Sequence, residues 1–308
     1  MRPVRLQPLL KERPWGVESL APWLSDVAGP APIGEAWFTS NDSQLAGGPT
    51  LGEAIAADPG AWLGREARDG GCPLLLKFLF TSERLSVQVH PDDEYARVHH
   101  GGLGKTEAWH VLDARPGATL GLGFTRRLAR DEAVDAARTG AIERLLDWRP
   151  AATGTTWLVP ARTVHAIGAG FTILEVQENS DLTYRLYDYG RPRELHLERG
   201  FEVADLGPYE VANVPMPIGP GRDRLTSCPY FLLERWDVDG ALSCAPSEPF
   251  YHLLVVSAGG GRVADQETRR GDVWLIPARV DPCSIHLTHG EIVVAHPGAE
   301  PTAALSRG

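Results

Sequence analysis

What most constrains this chain is that its apolar runs are short and follow one another with glycine, proline or aspartate between them. They read PLLLKFLF at 73–80, LSVQVH at 85–90, EAWHVL at 107–112, TTWLVP at 155–160 and FTILEVQE at 171–178. Then come YFLLERWDV from 230, FYHLLVVSA from 250, DVWLIPA from 272 and EIVVAHPG from 291. Val, Leu, Ile, Phe, Trp and Thr dominate them, as in strands, and 33 glycines and 25 prolines dispersed over 308 residues supply tight turns throughout. Strand after strand predicts an all-β sandwich or jelly roll, not a βαβ alternation. Helix signals are few: 128–148, with acids near its start and Gly140 weakening its middle so that two short helices are an alternative, and 51–64, split by Pro59. Both read as short decorating helices on a β framework.

One internal repeat stands out. Trp157–Arg162 read WLVPAR and Trp274–Arg279 read WLIPAR, each a strand running into a proline turn. Duplication of a β-barrel unit accounts for it. The copies differ where chemistry would sit: His165 follows the first, and the equivalent place after the second is Pro282. The expected division is an N-terminal barrel, 1–205, carrying the chemistry, and a C-terminal degenerate barrel, 206–308. The proline-rich stretch near 205–228 is the expected linker.

The formal net charge of −10 disfavours nucleic acid and anionic lipid as partners. An anionic substrate would need a local positive pocket built against that field. No run approaches the roughly 20 apolar residues of a membrane span, and MRPVRLQPLLKERPWG lacks an apolar signal core, so a cytoplasmic protein is expected. Cys72, Cys228, Cys244 and Cys283 form no Cys-x-x-Cys pair, which leaves a cysteine zinc site or redox motif unsupported.

Four segments carry candidate chemistry. In ERLSVQVHPDDEYA (83–96) strand alternation puts Ser86, Gln88 and His90 on one face and Val87 and Val89 on the other. In GKTEAWHVL (104–112) Lys105, Glu107 and Trp109 share a face, so a carboxylate lies beside an ammonium able to bind an anionic group. His165 follows a proline turn at a strand start in VPARTVHAIGAGFTILEV (159–176). Gln88, His90, Glu107 and His165 then offer two nitrogens and two oxygens, a set that suits one Zn²⁺ per chain and also admits Fe²⁺, Mn²⁺ or Co²⁺. His99 and His100, in a glycine-bordered loop, and His110, on the face opposite Glu107, are poorer ligands on geometry. In QENSDLTYRLYDYGRPRELH (177–196) Asp181, Thr183, Arg185 and Tyr187 share parity. There a guanidinium can grip phosphate and a carboxylate can move protons.

Together these segments resemble the type I mannose-6-phosphate isomerases in their short bacterial form. The matching stretches are RPWG (13–16), GEAWFTSND (34–42), KFLFTSERLSVQVHPDDEYA (77–96), GKTEAWHVL (104–112), VPARTVHAIGAGFTILEVQENSDLTYRLYDYGR (159–191) and RELH (193–196). The resemblance implies two cupin barrels and one metal, usually zinc, held by Gln88, His90, Glu107 and His165. It also implies a small sugar phosphate as substrate, in a monomer or homodimer. Arg185 matches the family's active-site arginine, Ser86 and Lys105 match residues associated with the sugar phosphate, and Asp181 matches an acid implicated in proton transfer. Glu175, Glu178, Lys105 and a metal-bound water are alternatives for the base. One departure is the turn before His165, where the family usually has a glycine and this chain has Ala161–Arg162. The implied reaction is aldose–ketose isomerisation of mannose 6-phosphate and fructose 6-phosphate through a cis-enediol. A non-catalytic sugar-phosphate sensor and an Fe²⁺ cupin oxygenase are the rival readings, since two histidines and a carboxylate serve both kinds of site.

Overall fold

The computed structural model describes residues 1–307 apart from 27, 28, 30, 46, 47, 68, 69, 213 and 246–248. Its strands pair antiparallel in three sheets. A six-stranded sheet runs in the order Leu9–Val17, Ile33–Trp37, Leu74–Thr81, Phe171–Glu178, Glu107–Ala114 and Thr156–Val159. A five-stranded sheet runs Tyr184–Tyr187, Val87–Val89, His165–Ile167, Thr119–Phe124 and Leu146–Pro150. Their facing sides share a core of Leu79, Leu85, Trp109, Val111, Ile167 and Ile173, which makes the pair one barrel.

The third sheet has nine strands, three of them long enough to curl: Leu232–Cys244, His252–Val263 and Cys283–His296. Register shifts at Val238/Gly240 and Val256/Ala258 bend these ladders, as bulges do, and Trp236, Leu254, Trp274, Ile285 and Val294 fill the interior. The chain is thus all-β, with two cupin-like barrels and a few short helices. The repeat holds in register. Trp157 and Val159 lie opposite Trp109 and Glu107, while Trp274 and Ile276 lie opposite Leu254 and His252. His252 therefore takes in the second barrel the place of Glu107 in the first.

The outer face of the six-stranded sheet packs on the nine-stranded one. Leu74, Leu76, Phe78 and Phe80 meet Phe231, Leu233, Leu253 and Val293 in one apolar cluster. That is why Leu74–Thr81 is buried at all eight positions: a strand covered on both faces reads as a continuous apolar run, not an alternating one.

The 128–148 segment is two short helices, Arg130–Thr139 and Ile142–Leu145, as the weak middle at Gly140 allowed. Gly140, at φ 77°, ends the first helix, and Leu146 already belongs to a strand. Pro59 opens a second short helix, Pro59–Leu63, behind Leu51–Ala57. His99 and His100 lie in an unforeseen helix, Asp93–His100, capped by the Asp92 side chain at one end and by left-handed Gly101 at the other. Ten residues of the expected linker are strand, because Met216–Gly219 and Arg222–Ser227 form a hairpin at the edge of the nine-stranded sheet, where proline is tolerated. Position 213 of that linker lies outside the described residues. Among the described residues no helix is long and apolar enough to cross a membrane.

Candidate active site

Strand parity places three of the four expected ligands. Val87 and Val89 pack under the helices, so Gln88 between them turns into the barrel; Ala166 likewise packs outward and His165 inward. On the facing sheet Ala108 points out and Trp109 in, which carries Glu107 inward too. Ligand atoms of His90, Glu107 and His165 all come within 4.8 Å of one another. His90 Nε2 is 3.5 Å from one Glu107 oxygen and His165 Nε2 is 3.4 Å from the other. Each of the three residues is 1% exposed, so water does not screen them.

Backbone carbonyls orient the two imidazoles. Nδ1 of His90 lies 2.9 Å from Leu182 O, and Nδ1 of His165 lies 2.9 Å from Thr163 O. A carbonyl only accepts, so Nδ1 carries the hydrogen and the Nε2 lone pair is free to face Glu107. Burial keeps both rings neutral: it pushes His90 well below its ordinary pKa and His165 down to about 4. Glu107 Oε2 is buried without a hydrogen bond. Two aimed lone pairs and a buried carboxylate oxygen that makes no hydrogen bond fit a divalent cation, with the Lys105 ammonium 3.4 Å from that oxygen.

Gln88 stands beside this group. Its amide nitrogen is 3.1 Å from His165 Nε2 and its oxygen accepts from Ser86 Oγ at 3.1 Å. Serving as an oxygen ligand requires the amide to be turned over about its last torsion. Lys105 precedes the strand that bears Glu107, and its ammonium is 3.1 Å from His90 Nε2 and 3.4 Å from Glu107.

The turn before His165 explains the family glycine. Arg162 adopts φ 75°, a left-handed conformation that costs a non-glycine residue roughly 1–2 kcal/mol. Its N–H donates to His90 O at 2.7 Å, so this turn ties the two histidine segments together.

Next to the histidines lies a pocket of about 480 Å³ lined by Ser86, Gln88, Lys105, Asp181, Thr183 and Arg185 together with Arg13, Glu35, Lys77, Glu175 and Arg193. The shared parity of Asp181, Thr183, Arg185 and Tyr187 fails. The strand begins only at Tyr184, and a register shift between Arg185 and Tyr187 turns Tyr187 away, toward the helices. Asp181 and Thr183 reach the pocket from the preceding irregular segment. Glu178 does not line it; its side chain accepts from Thr106 N at 2.8 Å, and burial pushes its carboxyl up to about 8. His99, His100 and His110 stay apart: His99 stacks on Tyr95, while His100 and His110 bond Tyr184 Oη and Thr156 Oγ1.

The pocket also holds a charge chain that the sequence reading passed over. Arg13 Nε donates to Glu35 at 2.8 Å; Lys77 lies 4.0 Å from Glu35 and 2.8 Å from Glu175. Burial pushes the Glu35 carboxyl up, but Lys77 and Arg13 outweigh it and hold it at about 2. Burial raises Glu175 despite Lys77. Lys77 was findable as the lone charge in an otherwise apolar strand, because a lysine there must be paired. Beside these, Asp188, 2% exposed, grips Arg193 through two bonds of 2.6 and 2.7 Å, accepts from Arg191 at 3.2 Å, and lies 3.9 Å from Arg185 Nε.

Two antiparallel barrels, with a buried His–Glu–His set beside a charged pocket in the first, define a metal-binding cupin. No family model matches the chain. Its sequence is 31% identical to mannose-6-phosphate isomerase ManA of Bacillus subtilis, over 96% of this chain and 98% of that protein. It is 37% identical to the mannose-6-phosphate isomerase of Streptococcus mutans over 67% of this chain and 68% of that one. The crystal structure of the mannose 6-phosphate isomerase from Bacillus subtilis superposes with a TM-score of 0.86 at 30% identity, covering 96% of this chain and all of that one. The chain belongs to the mannose-6-phosphate isomerase family.

Proposed function

We propose that this chain interconverts mannose 6-phosphate and fructose 6-phosphate in the pocket beside His90, Glu107 and His165. The observation that carries the reading is the lining: Arg13, Lys77, Lys105, Arg185 and Arg193 converge on one pocket in a chain of net charge −10. A dianionic phosphate needs such a counter-field. Zinc is the proposed ion, held by His90, Glu107, His165 and a turned Gln88; when bound it supplies Lewis-acid polarisation of the sugar oxygens.

The chain's own groups do the rest. Isomerisation moves a proton between C1 and C2 and builds negative charge on the adjacent oxygens. Lys105, 3.4 Å from Glu107, is placed to neutralise that charge at the reacting end as well as to bind anions. Arg185, with Ser86 and Arg193, holds the phosphate and so positions the reacting carbons. Asp181 is the proposed base, with Glu175 and Lys105 the alternatives that also face the pocket. In this reading residues 1–205 form the catalytic unit and 206–308 a scaffold unit.

The test is turnover of mannose 6-phosphate by purified protein, before and after chelation and with zinc returned. Fructose 6-phosphate formation that is lost on chelation and restored by zinc supports the reading. Absence of turnover with every divalent metal supplied would refute it and leave sugar-phosphate sensing.

A further inference from the structure

None of the four cysteines is in a disulfide, and two of them are not independent. Cys244 is the last residue of one long strand of the second barrel and Cys283 the first of the next. They are direct partners in the antiparallel ladder, which continues Ser243–Ser284 and Leu242–Ile285. Leu242 and Ile285 point into the barrel, Cys244 belongs to that same apolar filling, and Cys283 packs against it. Both thiols therefore stand on one face of one cross-strand pair. Directly opposed residues carry Cβ atoms about 4.5–5.5 Å apart, and a disulfide asks for about 3.5–4.5 Å with Cα atoms within about 6.8 Å. Closure needs a small approach of two strand ends, not a rearrangement.

The two thiols differ in a useful way. Cys244 is 1% exposed, while Cys283 is partly open to solvent. Interaction between the two thiols raises Cys244, where burial adds to it, and lowers Cys283 against the opposing effects of burial and Asp281. The accessible sulfur is thus the better nucleophile, with the buried one behind it.

We propose that Cys244 and Cys283 form a thiol–disulfide couple that reacts with small disulfides of the glutathione class. The Cys283 thiolate attacks one sulfur of the small disulfide, forms a mixed disulfide and expels one thiolate, which takes up a proton. Cys244 then releases its proton and attacks the Cys283 sulfur, expelling the second small thiol. Two protein thiols are oxidised and one small disulfide is reduced to two thiols. The bond closes the 245–282 excursion at the end of the barrel remote from His252 and His296, which the ladder places beside Leu232 and Ile276. Residues 39 apart in the chain carry no local motif, so only the ladder shows the pair.

The experiment incubates the intact protein with oxidised glutathione, alkylates remaining thiols under denaturing conditions, and maps the peptides. Two of the four thiols should be lost, to a Cys244–Cys283 cross-link without bound glutathione. Tm should rise by about 3–8 °C, reversed by reduction, with turnover changed less than about twofold, since the first barrel is untouched. Cys244→Ala should stop at glutathione on Cys283, and Cys283→Ser should leave Cys244 unmodified. Four surviving thiols, an unresolved adduct on Cys283 of the unaltered protein, or a cross-link through Cys72 or Cys228 would each overturn the proposal.

Discussion

Replacing Lys77 by methionine removes a cation from the most enclosed part of the pocket and strands one particular carboxylate. Glu35 keeps Arg13 at 2.8 Å, whereas Glu175, 3% exposed, loses an ammonium 2.8 Å away. Breaking a buried pair from one side costs about 3–5 kcal/mol. Glu175 can escape only by taking a proton, which at pH 7 costs about 2.7 pH units above an ordinary glutamate, or ~3.7 kcal/mol, so the two estimates agree. They also fix the pH dependence. The folded variant binds a proton that its unfolded chain does not, so its stability deficit grows by about 1.4 kcal/mol per pH unit above the ordinary glutamate range. Urea unfolding followed by tryptophan fluorescence at pH 5.5, 6.5 and 7.5 would show the deficit widening. Adding Glu175→Leu should remove most of the deficit and all of its slope, because the uncompensated charge is gone. A deficit independent of pH, or one that the double variant leaves intact, would show that the burial of Glu175 is not what Lys77 compensates.

Glu107→Gln removes the anionic ligand, and metal retained after dialysis, measured by elemental analysis, should fall by more than about a hundredfold in affinity while the fold persists. Arg162→Gly relieves the left-handed residue and gives up only an exposed ion pair with Asp92. It should be neutral or stabilising by up to about 1 kcal/mol in thermal unfolding. His110 is buried, and burial holds its pKa at about 4, so the unfolded chain takes a proton that the folded one refuses. Stability should fall as pH drops from about 6.5 toward 4, and His110→Gln should make that slope shallower by up to about 1.4 kcal/mol per pH unit in urea titrations. Asp188→Asn slackens the hold on Arg193 and Arg185, so steady-state kinetics should show KM for mannose 6-phosphate raised about tenfold with kcat changed less.

The inward placement of Gln88, Glu107 and His165 was legible because it rests on local alternation. Each sits one step from apolar residues whose burial on the opposite face forces it inward, as Val87 and Val89 do for Gln88. Where alternation is interrupted, legibility stops. The bulge after Arg185 sends Tyr187 to the helices, and Asp181 reaches the pocket from outside any strand. The Arg13–Glu35–Lys77–Glu175 chain was missed for a different reason. Its members come from four strands far apart in sequence, and each looks like an isolated charge until the register puts Lys77 opposite Glu175 and Trp37. The strand character of Met216–Gly219 was hidden by prolines that a sheet edge accepts. The all-β architecture and the duplication were readable throughout, because strand length and the WLVPAR–WLIPAR echo survive without knowledge of partners.

The short strand Val4–Arg5 pairs with Trp274–Leu275, inside the sheet of the second barrel. A ribosome makes that strand about 270 residues before its partner. At about 5–20 residues per second the delay is of the order of tens of seconds. Through that interval the first barrel can assemble from nearby strands while Val4–Arg5 waits unpaired. The second barrel's edge is therefore sealed by a strand made long before the rest of that sheet, and anything that occupies those residues during synthesis, such as a chaperone, postpones the sheet's completion.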